Sequence, residues 1–265
     1  MFLKLKRPKI TRRSFLGAAA FSAAATCFYT WRIEPHWVEL VRRPLPIENL
    51  PRDLHGRTLV QLSDLHIGWR VDDDYVIHQF SRVAALKPDF LVITGDFISY
   101  RSATEIEQVK RVLSHLPKGG IATIAILGNH DYGKNWSQED VAARVETIVR
   151  DQGVDLLRNE ARVVRDLQIA GLDDLWSPCF APERALNALD PNGASLVLCH
   201  NPDAADHAIW GKYRGWILSG HTHGGQCKPP FLPPPMLPVK NRRYTAGEFD
   251  LSGGRKLYIN RGLGH

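Results

Sequence analysis

The sequence predicts an α/β fold, a parallel or mixed sheet with helices outside it. Three observations carry this. Short apolar runs alternate with helical-period segments between residues 58 and 149, an order that builds parallel strands joined by helical crossovers. The second half is richer in short strand-like runs. The 265 residues are 44% hydrophobic and 23% charged, which is globular composition and enough chain for one sizeable core.

The elements follow in order. Residues 1–30 read as an address. Lys4, Lys6, Arg7, Lys9, Arg12 and Arg13 precede an apolar, alanine-rich run from Phe15 to about Tyr29. A basic stretch before a short apolar one is the layout of an export signal. Thr11-Arg12-Arg13-Ser14-Phe15-Leu16 resembles the twin-arginine signal. The expected partner is therefore the Tat export machinery, and the expected location the periplasm or the outer face of the inner membrane. Ala23-Ala24-Ala25 offers a peptidase site. The run is short for a spanning helix, which needs ~20 apolar residues; an uncleaved anchor touching the membrane through this segment is the alternative.

Residues 31–57 form a lead-in, broken by Pro35, Pro44, Pro46 and Pro51. The main domain spans 58–265. Strands are expected over 58–62, 90–93 and 121–127, with helices over 75–86, 105–116 and 140–149 between and after them. Further strands are expected near 161–165, 168–172, 195–199, 215–218 and 256–260, and helices near 182–189 and 203–210. Residues 229–238 hold six prolines and must be extended, as a rigid connector or as a lip over a site.

Charge excludes one function class. The formal charge is +6 and the pI about 9.2, a balance that suggests nucleic acid or an acidic surface. Six basic residues and no acid lie in the first 25 positions, leaving 28 basic against 28 acidic residues behind them. The excess belongs to the leader, so no nucleic-acid partner is expected. The four cysteines show no paired spacing, and a chain of this size needs no disulfide framework.

Chemistry gathers where strands end. Five apolar runs are followed by Ser63-Asp64-Leu65-His66, Thr94-Gly95-Asp96, Gly128-Asn129-His130-Asp131, Cys199-His200-Asn201 and Gly220-His221-Thr222-His223-Gly224. Ligands of open α/β sheets bind at this edge. Any one cluster alone would be an ordinary turn or cap. Together they place five of the eleven histidines on one rim, beside Asp64, Asp96 and Asn129. Oxygen and imidazole donors without thiolate suit hard or borderline divalent cations. The supply exceeds the needs of one ion and points to two.

These motifs, in this order across roughly residues 58–262, resemble the full motif set of the calcineurin-like metallophosphoesterases. With the twin-arginine leader, the chain is most similar to the exported bacterial YkuE/YaeI-like branch. The resemblance implies an α/β/β/α sandwich of two mixed sheets flanked by helices. It implies a phosphodiesterase-like hydrolase with two divalent metals, manganese first, with Fe, Zn²⁺ or Co²⁺ as alternatives, and a metal-bridged hydroxide as nucleophile. Carried over by position, Asp64, His66 and His223 hold one metal, Asn129, His200 and His221 the other, and Asp96 bridges them. His130 is the catalytic residue, facing the phosphate and leaving group. Asp131 is a candidate to orient His130, with a plain turn residue as its alternative. Asp173 and Asp174 receive no role.

The resemblance weakens at Asn260-Arg261-Gly262-Leu263-Gly264-His265, where relatives run on further, so the second sheet and the pocket are expected to be less complete. A small phosphodiester is the expected substrate. The alternative is pyrophosphate cleavage in a lipid-linked nucleotide sugar such as UDP-2,3-diacylglucosamine of lipid A synthesis, to which apolar Phe231, Leu232, Met236 and Leu237 fit. A third reading is a phosphate-binding protein without turnover.

Overall fold

The computed structural model describes residues 11–226 and 232–264. The chain divides after Arg42 into an N-terminal unit and a body. In the first unit, α1 (Arg12–Phe28) begins with a capping box in which Thr11 and Ser14 exchange side-chain bonds to backbone amides. No charge falls between Ser14 and Phe28, and no residue of α1 is buried. No described helix is long and apolar enough to cross a membrane. Lys4, Lys6, Arg7 and Lys9 of the expected leader lie outside the described residues, as do Phe231 and His265.

The body opens with β1 (Leu59–Leu62), β2 (Ile67–Gly68), α2 (Asp73–Ala85), β3 (Phe90–Thr94), β4 (Ile98–Ser99), α3 (Ala103–Leu113), β5 (Ala122–Ile126), α4 (Glu139–Asp151) and β6 (Asp155–Leu156). Strands β1, β3, β5 and β6 pair in parallel in the order β1-β3-β5-β6. The second half supplies β7 (Glu160–Val164), β8 (Leu167–Gly171), α5 (Pro182–Leu186), β9 (Ser195–Leu198), β10 (Gly215–Ser219), β11 (Gly247–Asp250) and β12 (Arg255–Ile259). These six strands order as β11-β12-β10-β9-β8-β7, parallel inside and antiparallel at both edges.

Period-two alternation explains the layering. Phe90 and Val92 of β3, with Ile124 and Ile126 of β5, pack against Ile169, Leu196, Leu198 and Leu218 of the second sheet. Burying each such side chain is worth about 1.5–3 kcal/mol. The alternate residues Leu91, Ile93 and Ala125 are as fully buried on the opposite face of the first sheet. Helices α2, α3 and α4 bury matching stripes, Val76/Phe80/Val83, Ile106/Val109/Val112 and Val141/Val145/Ile148. Val197, Ile217, Leu257 and Ile259 face outward from the second sheet onto Ala185, Leu189 and Trp210. The layers are helix, sheet, sheet, helix, as expected. The first sheet is parallel throughout, because helical crossovers join its three long strands; only the second is mixed.

Two expectations change. The lead-in is partly core: Leu45, Ile47 and Leu50 pack between the sheets, and the Trp216 indole donates to Pro46 O at 2.8 Å. The helix expected over 203–210 is a single 3-10 turn, Pro202–Asp206. It stops there because the Asp203 carboxylate accepts the backbone amides of Lys240 and Asn241, and Ala204 O accepts the Trp210 indole.

Candidate metal centre

Parallel strands release their C-terminal ends on one edge, and packing two sheets face to face brings the edges together. The loop Ser63–His66 follows β1, Gly95-Asp96 follows β3, Gly128–Asp131 follows β5, His200 follows β9 and Gly220–His223 follows β10. Backbone bonds lock neighbouring loops: Asp64 N–H to Gly95 O, His66 N–H to Asp96 O and Gly220 N–H to His200 O, each 3.0 Å. Bonds also join the two sheets, among them His221 N–H donating to the Asp64 carboxylate at 2.9 Å and the Gln61 side-chain amide donating to Ser219 O at 3.0 Å.

The turns are strained where the ligand candidates stand. Asp64, His66, Asp96, His221 and His223 all have positive φ, between 47° and 73°. Left-handed backbone costs an L-residue about 1–2 kcal/mol. Such strain collects at functional sites, where surrounding contacts over-determine the conformation.

The side chains converge in two groups that share Asp96 as neighbour. Asp64, His66 and His223 place ligand atoms within 4.8 Å of one another, and so do Asp96, His200 and His221. Asp96 Oδ2 lies 3.1 Å from His200 Nε2 and 3.5 Å from His66 Nε2. His223 Nε2 lies 3.4 Å from Asp64 Oδ1 and 2.9 Å from His66 Nε2. His221 Nδ1 faces His200 Nε2 at 3.3 Å. Asn129 Oδ1 is buried without a hydrogen-bond partner.

The outward ring nitrogens decide which inward ones are free to ligate. His200 Nδ1–H donates to Thr94 O at 2.6 Å, His221 Nε2–H to Pro238 O at 2.7 Å and His223 Nδ1–H to Gly264 O at 3.2 Å. A carbonyl only accepts, so each neutral ring presents a bare lone pair to the centre. His66 Nδ1 meets Ser99 Oγ at 3.0 Å, a hydroxyl that can donate or accept and so holds the ring without selecting its tautomer. Inward lone pairs 2.9–3.3 Å apart repel unless a proton or cation stands between them. Metal-ligating histidines are held in this way by outer oxygen partners. With the orphaned Asn129 Oδ1, the donor set fits divalent cations, and Asp96 lies between its two groups.

Electrostatics agree at His221 and His66 but not at His200, where burial lowers the pKa yet Asp96 raises it well above the ordinary value, so that a proton stands between His200 Nε2 and Asp96 Oδ2. Burial, with the adjacent His200, holds His221 down at about 3, the neutral form a ligand needs. Burial also lowers His66, against the pull of Asp96. Asp96 is held well below its ordinary range by His200 and His130 despite burial.

His130 reaches the rim through the 3-10 turn Asn129–Tyr132. Its ring meets His66 edge-on at 4.8 Å between centroids, and its ligand atom groups with those of His66 and Asp96. Asp131 acts elsewhere than on the His130 ring. Its buried carboxylate accepts four backbone amides, from Gly128, Asp96, Phe97 and Ile98, at 2.8–3.2 Å. It fixes the loop that carries Asp96.

Of the two readings of the proline-rich segment, the lip is the one the described residues 232–238 fit: they form a strap over the site, with Pro238 O on His221 and Arg242 donating to Pro234 O at 2.6 Å. Other contributors were not anticipated. Gly262-Leu263-Gly264 belongs to the site, with Gly264 O on His223 and Gly264 N–H on Asp64 O. Trp176 sets its edge against His221, 4.5 Å between centroids, and stacks on Trp136 at 4.6 Å. Asp173 lies in a buried network with Tyr132 and Arg158 that anchors the His130 turn.

The fold and rim are those of a metal-dependent hydrolase of phosphoesters. Residues 57–225 match the family model of the calcineurin-like phosphoesterases, and the chain belongs to that family. It is 31% identical to Phosphodiesterase YaeI of Escherichia coli over 96% of this chain and 93% of that one. It is 30% identical to the uncharacterized metallophosphoesterase YkuE of Bacillus subtilis, covering 97% and 91%. It is 27% identical to the UDP-2,3-diacylglucosamine pyrophosphatase LpxG of Chlamydia trachomatis, covering 91% and 89%.

Proposed function

We propose that this phosphoester hydrolase is an exported phosphodiesterase whose two cations, manganese in its native compartment, are held as the rim suggests. Asp64, His66 and His223 hold one, Asn129, His200 and His221 the other, and Asp96 both. The observation that carries this is the tying of the histidines' outer nitrogens to oxygen while their inner nitrogens converge. When bound, the cations neutralise phosphoryl oxygens and activate water at neutral pH. His130 protonates the leaving oxygen or stabilises its charge, a role worth about 10²–10⁴-fold. The arginine pair Arg12-Arg13 at the start of an uncharged helix supports twin-arginine export.

Purified chain with Mn²⁺ should hydrolyse bis-p-nitrophenyl phosphate. Asp96→Asn and His221→Ala should abolish turnover, and His130→Ala should lower kcat while keeping metal content. Unchanged turnover in the first two variants overturns the assignment. A second reading, pyrophosphate cleavage in a lipid-linked nucleotide, is favoured by similarity to LpxG and by the exposed Leu232 and Met236. Rates on UDP-2,3-diacylglucosamine against the simple diester decide between the two.

A further inference from the structure

Among the described residues of the body, five large hydrophobic side chains are exposed: Trp69 (49%), Trp136 (38%), Val163, Leu232 (58%) and Met236 (80%). All but Val163 lie on segments that adjoin the metal rim. Trp69 is three residues beyond His66, within about 10 Å of chain. Trp136 stacks on Trp176, which touches His221. Met236 and Leu232 ride on the strap whose Pro238 carbonyl binds His221. Scattered exposed apolar residues need no explanation, but their gathering at one mouth does.

Their backbone is fixed. Asn135 and Trp136 are both left-handed, at φ 55° and 57°, so strain is spent holding an indole outward. The strap is pinned by His221, Arg242 and the Asp203 carboxylate.

Charge is sorted in the same place. The segments 66–71, 99–104, 133–138 and 232–246 contain Arg70, Arg101, Lys134, Lys240, Arg242 and Arg243, and no acid, in a body that balances overall. None of these six cations forms a salt bridge among the described residues. Trp69 is flanked by two of them, with the Arg101 guanidinium 3.5 Å and the Arg70 guanidinium 4.5 Å from its ring centroid. A guanidinium over an indole joins an apolar body to a fork that fits phosphate.

We propose that this rim docks the body, mouth down, on an anionic lipid surface, so that the phosphoesters hydrolysed are those presented at such a surface. The proposal rests on the phosphodiesterase reading for its substrate, not for the docking. Indole, thioether and leucyl groups among arginine and lysine suit the headgroup boundary, where one end of a side chain is apolar and the other wet. A protein partner covering the same residues would close the mouth over the metal centre. A lipid surface covers it and delivers phosphoester to it.

The test is hydrogen exchange of the full chain with vesicles of phosphatidylcholine and phosphatidylglycerol at three to one, against phosphatidylcholine alone. Anionic vesicles should slow exchange in 66–71, 133–138 and 232–246, and neutral ones should not. The triple variant Trp69→Ser, Leu232→Ser, Met236→Ser should lose this slowing and bind anionic vesicles at least tenfold more weakly, while keeping the wild-type circular dichroism spectrum and unfolding temperature. Arg70→Gln with Arg101→Gln should weaken binding about 10–30-fold at low salt. Slowing confined to Arg12–Phe28, slowing of the rim by neutral vesicles alone, or slowing retained in the triple variant overturns the proposal. Absence of turnover in wild type defeats the activity reading and leaves the exchange result to decide the docking.

Discussion

Gly95 separates two costs that a glycine at a strand end can carry. It ends β3 at φ +90°, and a Cβ there would sit 2.6 Å from Gly128 N and 2.8 Å from His200 Nδ1. Neither neighbour is free to move: Gly128 N–H is bonded to Asp131, and His200 Nδ1–H to Thr94 O. Gly95→Ala therefore combines left-handed strain of about 1–2 kcal/mol with overpacking of about 1–3 kcal/mol. Reduced freedom of the unfolded chain offsets about 0.4–1 kcal/mol. The net is about 2–4 kcal/mol, or roughly 5–15 °C in Tm for a body of this size. Gly153 is the control. Its φ is +71°, with nothing within 4 Å of an added Cβ, so Gly153→Ala carries strain alone and should lower Tm by about 1–4 °C. Thermal unfolding by circular dichroism, with metal content measured on the same samples, compares them. Gly95→Ala should also lose the ion held through His200. A Tm within 2 °C of the control, with two ions retained, would refute the close packing of the β3 and β5 ends around His200.

Three further outcomes are expected. Arg158→Ala strands the buried Asp173 carboxylate, which Arg158 meets at 3.3 Å, and should cost about 3–5 kcal/mol in urea unfolding, partly recovered by adding Asp173→Asn; a cost under about 1 kcal/mol would show the network to be unimportant. Asp89 is held below its ordinary value, first by the Thr58 amide at 2.8 Å and then by the Thr58 hydroxyl and Arg57. A lowered folded pKa stabilises above the unfolded value of about 3.9 and is lost as pH falls through the folded one, so the stability gap between wild type and Asp89→Asn should close from about pH 5 downward; a gap constant with pH contradicts this. Asp203→Ala frees the strap from the backbone amides of Lys240 and Asn241 and should weaken the ion at His221 by about 10–100-fold in a calorimetric titration, leaving the other ion unchanged.

What the sequence made legible follows from range. β3 and β5 are apolar runs bounded by proline or glycine turns, and their identity and their polar ends are local facts. The gathering of Asp64, Asp96, Asn129, His200 and His221 needed only the rule that parallel strands share an edge. The rest was set by partners far along the chain. β2 and β4 are two residues each, too short to show a period. Residues 203–210 have helical composition, yet the Asp203 carboxylate is taken by a segment 37 residues on. Asp131 looks like an orienter of its neighbour His130, but its oxygens are filled by amides 33–35 residues back as well as by Gly128. Nothing near Pro238 announces that its carbonyl selects the tautomer of His221.

The strained candidate ligands show why glycine could not do this work. Tight strand-end turns need positive φ, and glycine adopts it at little cost. A residue that holds a cation must carry a donor, so in the proposed roles of Asp64, His66, Asp96, His221 and His223 the residue that needs the turn cannot be glycine. Together these positions hold roughly 5–10 kcal/mol of conformational cost. Fixed bonds oppose it: the amides of Asp64, His66 and His221 each have an acceptor on a neighbouring loop, and Asp131 ties down three amides of the Asp96 loop. Glycine is kept for the positions between, where a side chain would collide with the site; Gly128 lies against Asp96, and Gly220 against Ser63 and Asp64. Global stability is thereby exchanged for donors already aimed, and the cost of ordering the ligands falls on folding rather than on capture of the cation.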